Sequence, residues 1–219
     1  MVKPGSRPHT GAMIRSVMFD FGGVITSSPF EAFARYEEST GLPPGLIRTV
    51  NSTDPDTNAW AQLERGELDV DGFAEAFEVE ARELGYQVDG RAVLALLGGR
   101  VRPEMVEAVR RCSEHFATAC LTNNFSHDDA SGRPEVIEIL GLFDLVLESR
   151  VVGVRKPELR FYEMACEGLR VRPEESVYLD DLGVNLKPAR SMGMRTSKVT
   201  DPAEALRQLS AVTGLVLDT

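Results

Sequence analysis

SVMFDFGG, residues 16–23, is a short apolar run that ends on a carboxylate and two glycines. A run of this length that stops abruptly at Gly22 and Gly23 predicts a buried β-strand over residues 16–21, with Asp20 close to its carboxyl end. Three further runs of the same kind lie at residues 116–121, 144–147 and 176–179, and polar residues follow each of them. A weaker run covers residues 194–199. We predict that these five runs are the strands of the fold.

Helical stretches alternate with these runs in the second half of the chain. They cover residues 103–115, 134–140, 158–168 and 185–192, and Pro103 and Pro134 stand at the first turn of two of them. Alternating strands and helices imply right-handed crossovers, and therefore a parallel sheet that is covered by helices on both faces. The sequence thus predicts an α/β fold with a three-layer core.

Residues 26–100 break this alternation, because their apolar residues recur at helical spacing throughout. About five helices inserted after the first strand have only each other to bury against, so we expect a separate small bundle over the edge of the sheet. Gly98 and Gly99 are the expected return hinge. The predicted division is a flexible leader over residues 1–13, a core domain over 14–25 and 101–219, and a helical cap over 26–100.

Six polar residues lie at or after the carboxyl ends of the predicted strands: Asp20, Thr122, Asn123, Lys156, Asp180 and Asp181. We expect them to converge, because ligands of parallel α/β sheets bind outside the carboxyl ends of the strands. Three carboxylates that come together raise one another's pKa unless a cation neutralises them. Lys156 and Mg²⁺ together would do so, and a set of oxygen ligands favours Mg²⁺ over zinc or copper.

Such a site can attack an electrophile. Asp20 would act as the nucleophile and form a covalent intermediate, while Mg²⁺, Lys156 and the Thr122 hydroxyl neutralise charge on a transferring phosphoryl group. Each residue alone is an ordinary loop or cap residue. Four strand ends that carry the right polar types in order indicate phosphoryl transfer through an aspartyl phosphate.

Four segments of the chain resemble the four motifs of the haloacid dehalogenase-like (HAD) hydrolase superfamily. They are VMFDFGGVI (17–25), CLTNN (120–124), RKPE (155–158) and YLDDLGVNLKPAR (178–190). The last segment is especially similar to the amino-terminal phosphatase domain of bifunctional epoxide hydrolases. The resemblance covers residues 16–198 and implies a Rossmann-like core with an inserted helical cap.

The resemblance also implies roles for individual residues. Asp20 matches the nucleophile of the family, and the backbone carbonyl of Gly22 stands where a Mg²⁺ ligand is expected. Asp181 matches the carboxylate ligand of the metal, with Asp180 beside it as an additional or outlying anion. Asn185 matches a supporting polar residue of the metal loop.

On the phosphate side, Thr122 and Asn123 match the pair that contacts phosphate, and Asn124 lies beside them. Lys156 matches the cation that bridges the nucleophile and the phosphate. These four residues complete the set of site residues that the resemblance implies.

Gly22 departs from the family pattern, since phosphatases of the family usually carry a second Asp at this position as general acid and base. His127, in the loop after the second strand, is a weaker candidate for this proton transfer, because an exposed loop histidine is usually only solvated. Three aromatic residues of the cap could line its substrate face, but at helical spacing they are more typical of its core: Trp60, Phe73 and Phe77.

The composition excludes several classes of partner. The 219 residues carry 24 Lys and Arg against 34 Asp and Glu, a formal charge of −10, which disfavours nucleic acid and anionic membrane surfaces. No apolar run approaches the roughly 20 residues that span a bilayer, and residues 1–10 lack the apolar core of a signal peptide. Cys112, Cys120 and Cys166 favour buried free thiols. We expect a soluble, cytoplasmic protein.

Three hypotheses for the function follow. The leading one is a Mg²⁺-dependent phosphatase, monomeric or homodimeric, that encloses a small phosphorylated metabolite between core and cap. The second is a dehalogenase in which Asp20 attacks carbon and no leaving-group acid is needed, although such an enzyme does not require the metal that Asp180 and Asp181 favour. The third is a binding or regulatory module that has lost turnover through Gly22.

Overall fold

A central sheet of five strands organises the part of the chain that the structure describes. The structure is a computed structural model that describes residues 13–123 and 133–217. The strands are Ser16–Phe19 (β1), Ala117–Thr122 (β2), Leu145–Glu148 (β3), Ser176–Asp180 (β4) and Arg195–Lys198 (β5). They are all parallel and run in the order β3-β2-β1-β4-β5. β1 therefore lies in the middle, with its carboxyl end between those of β2 and β4.

Helices cover both faces of this sheet. One face packs against Pro103–Ser113 (α6), Pro134–Leu140 (α7) and Pro202–Thr213 (α11), and the other packs against Leu159–Leu169 (α9) and Gly183–Ser191 (α10). The short helix Ser149–Val152 (α8) follows β3. Val17 and Phe19 of β1 pack on one face and Met18 on the other, as the period of two in a strand requires. The predicted three-layer, Rossmann-like α/β fold is thus confirmed.

β1 ends at Phe19, two residues before the predicted end of the strand. The Asp20 N–H still bonds to the Leu179 carbonyl at 2.9 Å, but the Asp20 carboxylate accepts a hydrogen bond from the Phe21 N–H at 2.6 Å. The chain then turns over residues 21–25, and Gly23 adopts a φ of 79°, which side-chain-bearing residues rarely adopt. The strand therefore stops just before Asp20, which leaves this carboxylate at the carboxyl end of the central strand.

Five helices follow β1 and bury an apolar cluster of their own. They are Phe30–Thr40 (α1), Leu46–Ser52 (α2), Ala59–Glu64 (α3), Val70–Glu83 (α4) and Gly90–Ala95 (α5). Trp60, Phe73 and Phe77 lie at the centre of the cluster, with ring centroids 4.8 to 6.5 Å apart. Their predicted place in the core of an inserted helical cap is confirmed.

The two segments that join this cap to the sheet run side by side. The Ser27 N–H bonds to the Arg100 carbonyl at 2.8 Å, and the Arg102 N–H bonds to the Ile25 carbonyl at 2.9 Å. A β-carbon at Gly99 would lie 2.4 Å from the Ser27 carbonyl oxygen, so only glycine allows this approach. The two connections between the cap and the core therefore pair with each other as a short antiparallel bridge.

The remaining predictions from composition concern membranes and cysteines. Within residues 13–123 and 133–217, the helices are too short or too polar for any of them to cross a bilayer. Cys112, Cys120 and Cys166 are free and buried, as predicted. Burial raises the pKa of the Cys112 thiol to about 12, so this side chain stays protonated and serves packing.

Candidate active site

Asp20 and Lys156 form a buried ion pair at the carboxyl edge of the sheet. The Lys156 ammonium lies 2.7 Å from Asp20 Oδ1, and only 2% of its side chain is exposed. Its Nζ also lies 3.1 Å from Asp180 Oδ2. One cation thus bridges two carboxylates that follow or end the neighbouring strands β1 and β4.

The loop that carries Lys156 is fixed to the end of β2. The Lys156 N–H donates to Asn123 Oδ1 at 3.0 Å, and Asn123 Nδ2 donates to the Lys156 carbonyl at 3.1 Å. This reciprocal pair fixes the backbone from which the Lys156 side chain reaches Asp20. It also commits one amide hydrogen of Asn123 to the backbone of the lysine loop.

Asp180 is held by a dense set of donors. Its Oδ1 accepts from the Leu182 N–H at 2.7 Å and from Asn185 Nδ2 at 3.1 Å. Its Oδ2 accepts from Lys156 Nζ, Asn185 Nδ2 and the Tyr178 hydroxyl. Asp180 is fully buried, and these bonds hold its carboxylate in one position. Its role in this arrangement is to anchor Lys156.

Asp181 lies next to the turn that follows β1. Ligand oxygens of Asp20, Asp180 and Asp181 all lie within 4.8 Å of one another. A β-carbon at Gly23 would stand 2.2 Å from Asp181 Oδ2, so glycine is required for the turn to approach this carboxylate. With Lys156 included, the four side chains sum to two net negative charges, which is the charge that one divalent cation balances.

The pKa values reflect this crowding. Burial raises the pKa of Asp20 well above its ordinary value, against the opposing effect of Lys156. Burial and the neighbouring Asp180 raise the pKa of Asp181 to about 6. Burial alone would lower the pKa of Lys156, but Asp180 and Asp20 outweigh it and raise that pKa above its ordinary value. Such shifts are concentrated where chemistry occurs in proteins.

Thr122 ends β2 beside this cluster. Thr122 is 2% exposed, and its hydroxyl donates to the Asn123 carbonyl at 2.9 Å. The second amide hydrogen of Asn123 is committed to Glu64 Oε2 at 3.0 Å. Both amide hydrogens of Asn123 are therefore engaged within the protein, so a phosphate contact by Asn123 or by the Thr122 hydroxyl would replace an existing hydrogen bond.

Glu64 connects the cap to this edge of the sheet. It lies at the carboxyl end of α3, is 7% exposed, and accepts from Asn123 and from the Arg155 guanidinium. Arg155 also donates to the Pro55 carbonyl of the cap at 2.8 Å. The sequence analysis predicted neither Glu64 nor the role of Arg155. The charged residue at the end of the apolar helix AWAQLE could have indicated a polar contact of the cap.

A cavity of about 430 Å³ opens between the cap and the sheet. The core contributes Asp20, Asp181, Lys156, Thr122 and Asn123 to its lining, while the cap contributes both apolar and polar side chains. The cap residues in the lining include Phe30, Phe33, Arg48, Trp60 and Glu64. Trp60 thus serves both the cap core and the cavity wall. The volume is suited to a small molecule.

The structure brings the predicted residues together at one place. Asp20, Lys156, Asp180 and Asp181 form the centre, and Asn185 bonds to Asp180. Gly22, Thr122 and Asn123 line the cavity beside them. Asn124 and His127 lie outside the described residues. Tyr178 was missed, although its place two residues before Asp180 puts both side chains on one face of β4.

Comparison with known proteins establishes the family. A family model described as haloacid dehalogenase-like hydrolase matches residues 14–193. The chain therefore belongs to the haloacid dehalogenase-like hydrolases and is an enzyme of that family, as the four motifs predicted.

Individual relatives are similar over nearly the whole chain. Acyl-CoA dehydrogenase family member 10 of Mus musculus is 32% identical over 213 residues, covering 94% of this chain and 20% of that protein. Bifunctional epoxide hydrolase 2 of Sus scrofa is 31% identical over 219 residues, covering 93% and 40%. The chain thus spans less than half the length of these two relatives. Phosphatase MT3486 of Mycobacterium tuberculosis is 29% identical over 227 residues, covering 94% and 97%.

A solved structure supports the same fold. The HAD-hydrolase YfnB of Bacillus subtilis, bound to magnesium, superimposes with a TM-score of 0.66 at 18% identity. The match covers 93% of this chain and 100% of that one.

Proposed function

We propose that the protein is a Mg²⁺-dependent phosphatase that acts on a small phosphorylated metabolite through an aspartyl-phosphate intermediate. The observation that carries this proposal is the buried Lys156 ammonium between Asp20 and Asp180, with Asp181 as a third carboxylate beside them. A nucleophilic carboxylate, a fixed cation and a metal-binding carboxylate are the groups that such a reaction needs.

The residues present fit a magnesium ion. All candidate donors are oxygens, which Mg²⁺ prefers, and the cluster carries an excess of two negative charges. Asp180 already accepts hydrogen bonds at both oxygens, so Asp20, Asp181 and the Gly22 carbonyl are the proposed ligands. When bound, the ion would supply positive charge for the carboxylates and for the transferring phosphoryl group. The magnesium complex of YfnB supports this assignment.

Three side chains of the site then have defined roles in the proposed reaction. An oxygen of Asp20 attacks phosphorus, and the bond from phosphorus to the leaving oxygen breaks, with the electron pair going to that oxygen. Lys156 and the Thr122 hydroxyl stabilise the charge on the phosphoryl oxygens. Water then attacks the phosphorus of the aspartyl phosphate, which releases phosphate and restores the Asp20 carboxylate.

The relatives and the cavity support the coarse class of substrate. A relative named as a phosphatase aligns along 97% of its own length, and the cavity of about 430 Å³ accommodates a small phosphorylated molecule. We propose residues 26–100 as the cap that encloses this substrate, and residues 14–25 and 101–219 as the core that carries the chemistry. The predicted leader over residues 1–13 lies almost wholly outside the described residues.

A screen of phosphorylated metabolites tests the proposal. Phosphate release is measured with Mg²⁺ and with EDTA, and we expect release that EDTA abolishes. Release that survives EDTA would contradict the metal assignment. If no ester or acyl phosphate is hydrolysed, the protein is a binding module or attacks another electrophile, and halide release from 2-haloacids would identify the latter.

A further inference from the structure

The cavity offers few groups that could give a proton to a leaving oxygen. Among the described residues that line it, the only side chains with a carboxyl group are Asp20, Glu64 and Asp181, and none is a histidine, cysteine or tyrosine. The hydroxyls in the lining are far weaker acids than any of these groups. The Lys156 ammonium also lines the cavity, but it is held between Asp20 and Asp180 as the proposed cation for the phosphoryl oxygens. A general acid must therefore be sought among the three carboxyl groups.

Each of these carboxyl groups has another task. Asp20 is the proposed nucleophile, and Asp181 is a proposed metal ligand. Glu64 Oε2 is engaged in an ion pair with the Arg155 guanidinium, and the same atom also accepts a hydrogen bond from Asn123. Each of the three therefore has a task that keeps it from serving as a proton donor.

The position best placed for a donor carries no side chain. Gly22 lines the cavity two residues after Asp20 and is exposed to it. Its φ of −70° is available to any residue, and a β-carbon there would meet no atom within 4 Å. Neither backbone conformation nor space requires glycine at this position, in contrast to Gly23. The structure would therefore accommodate a proton-donating side chain at residue 22, but this chain has glycine there.

We propose that the leaving group departs without a proton, and that the substrates are phosphoryl compounds with weakly basic leaving groups, with acyl phosphates as the leading class. This inference rests on the proposed phosphatase function. Asp20 bonds to phosphorus as the bond to the acyl oxygen breaks, and the acyl group leaves with the electron pair as a carboxylate. Water then cleaves the aspartyl phosphate, and its protons go to the released phosphate and to solvent.

A pair of substrates of matched size tests the inference. Acetyl phosphate and ethyl phosphate differ in whether a carboxylate or an alkoxide leaves. The rate constant kcat/KM, corrected for spontaneous hydrolysis, reports the step that forms the aspartyl phosphate. A series of substituted phenyl phosphates gives the dependence of kcat/KM on the basicity of the leaving group within one shape.

We expect a steep dependence across the phenyl series, and turnover of acetyl phosphate with little or none of ethyl phosphate. A shallow dependence, with both small substrates hydrolysed comparably, would overturn the inference while leaving the phosphatase proposal intact. In that case a donor outside the described lining, with His127 as the first to replace, serves the leaving group. If no substrate is hydrolysed with Mg²⁺, the proposed function itself fails, and the inference with it.

Two variants at one position sharpen the test. Gly22→Asp supplies a carboxyl group, and a positioned acid contributes about 10²- to 10⁴-fold. We expect ethyl phosphate turnover to rise by about that factor and acetyl phosphate turnover to change much less. Gly22→Asn, which has the same size without an acidic proton, should not raise ethyl phosphate turnover. Equal gains in the two variants would contradict the inference, and the wild-type phenyl series decides the matter if either variant misfolds.

Discussion

At the scale of single residues, Asp20 allows the most direct test of the proposed chemistry. The substitution Asp20→Asn keeps the size of the side chain but removes the attacking anion, so phosphate release should disappear. The fold should persist, because Lys156 retains its ion pair with Asp180 at 3.1 Å. Phosphate release and thermal unfolding are the two measurements. Wild-type-like turnover in this variant would exclude Asp20 as the nucleophile.

Lys156 is the matching test of charge. Lys156→Met retains most of the apolar stem but leaves the carboxylates without their cation. We expect a loss of transition-state stabilisation on the order of several kcal/mol in kcat/KM. Since removing one partner of a buried ion pair also costs about 3–5 kcal/mol of folding free energy, urea unfolding should be recorded in parallel. A folded variant with near-normal kcat would remove Lys156 from the site.

The adjacent glycines provide a matched pair of substitutions. Gly23→Ala should displace Asp181, because the new β-carbon would lie 2.2 Å from Asp181 Oδ2 and the φ of 79° is strained for alanine. We expect a stability loss of about 1–3 kcal/mol and a higher Mg²⁺ concentration for half-maximal activity. Gly22→Ala is the control for folding, since its β-carbon meets nothing within 4 Å. Equal unfolding midpoints in the two variants would contradict this account of the turn.

Most of the site residues that could be predicted from the sequence end a strand or follow it directly. Asp20, Thr122 and Asp180 were predictable because parallel strands bring their carboxyl ends to one edge. Glu64 was not, because its contact with Asn123 depends on how the cap lies over the sheet, which no local pattern records. The sequence also could not show that the Asn123 amide is used up by its neighbours.

At the scale of elements, the pattern of apolar runs predicted the sheet and its helices. The boundaries were less accurate, as at β1, where the hydrogen bond between the Asp20 carboxylate and the Phe21 N–H starts the turn two residues early. Such a side-chain–backbone hydrogen bond competes with strand pairing. The pattern of apolar residues does not show which of the two is more stable. Helix α3 shows the same limit, since its apolar face was predictable and its link to the active site was not.

The link between α3 and the core gives a prediction for the cap. Glu64→Ala removes the carboxylate that accepts from both Asn123 and Arg155. Hydrogen bonds to charged groups contribute about 1.5–3 kcal/mol each, so kcat/KM should fall by about 10-fold or more as the cap loses its hydrogen bond to Asn123. Hydrogen exchange at the amides of α3 should become faster than in the wild-type protein.

An exposed ion pair of the same cap is the control for this prediction. Glu67 pairs with Arg65 at 2.7 Å, but its side chain is 52% exposed. Because exposed pairs contribute about 0–1 kcal/mol, Glu67→Ala should leave both kcat/KM and exchange in α3 nearly unchanged. Matching losses in the Glu64 and Glu67 variants would show that charge in the cap, rather than the contact with Asn123, is responsible.

At the scale of the whole molecule, the acidic cluster couples stability to pH and to metal. Burial, with a smaller contribution from Asp180, raises the pKa of Asp181 in the folded protein from the ordinary value of 3.8 to about 6. The folded state therefore holds a proton that the unfolded chain has already released. Linkage then requires that stability in EDTA falls as the pH rises from 3.8 to about 6, and that the loss is complete above this range. The raised pKa of Asp20 acts in the same direction.

The size of this effect and its reversal by Mg²⁺ are measurable by urea unfolding at several pH values. For Asp181, the loss in EDTA between about pH 4 and pH 6 should be on the order of 3 kcal/mol. Mg²⁺ should restore stability increasingly as pH rises, because it binds the ionised carboxylates, by about 2.7 kcal/mol at 100 times its dissociation constant. Asp181→Asn should flatten the pH dependence and remove most of the gain from Mg²⁺. Asp56→Asn, on the cap surface, should do neither, and a slope shared by all three proteins would place the titrating groups elsewhere.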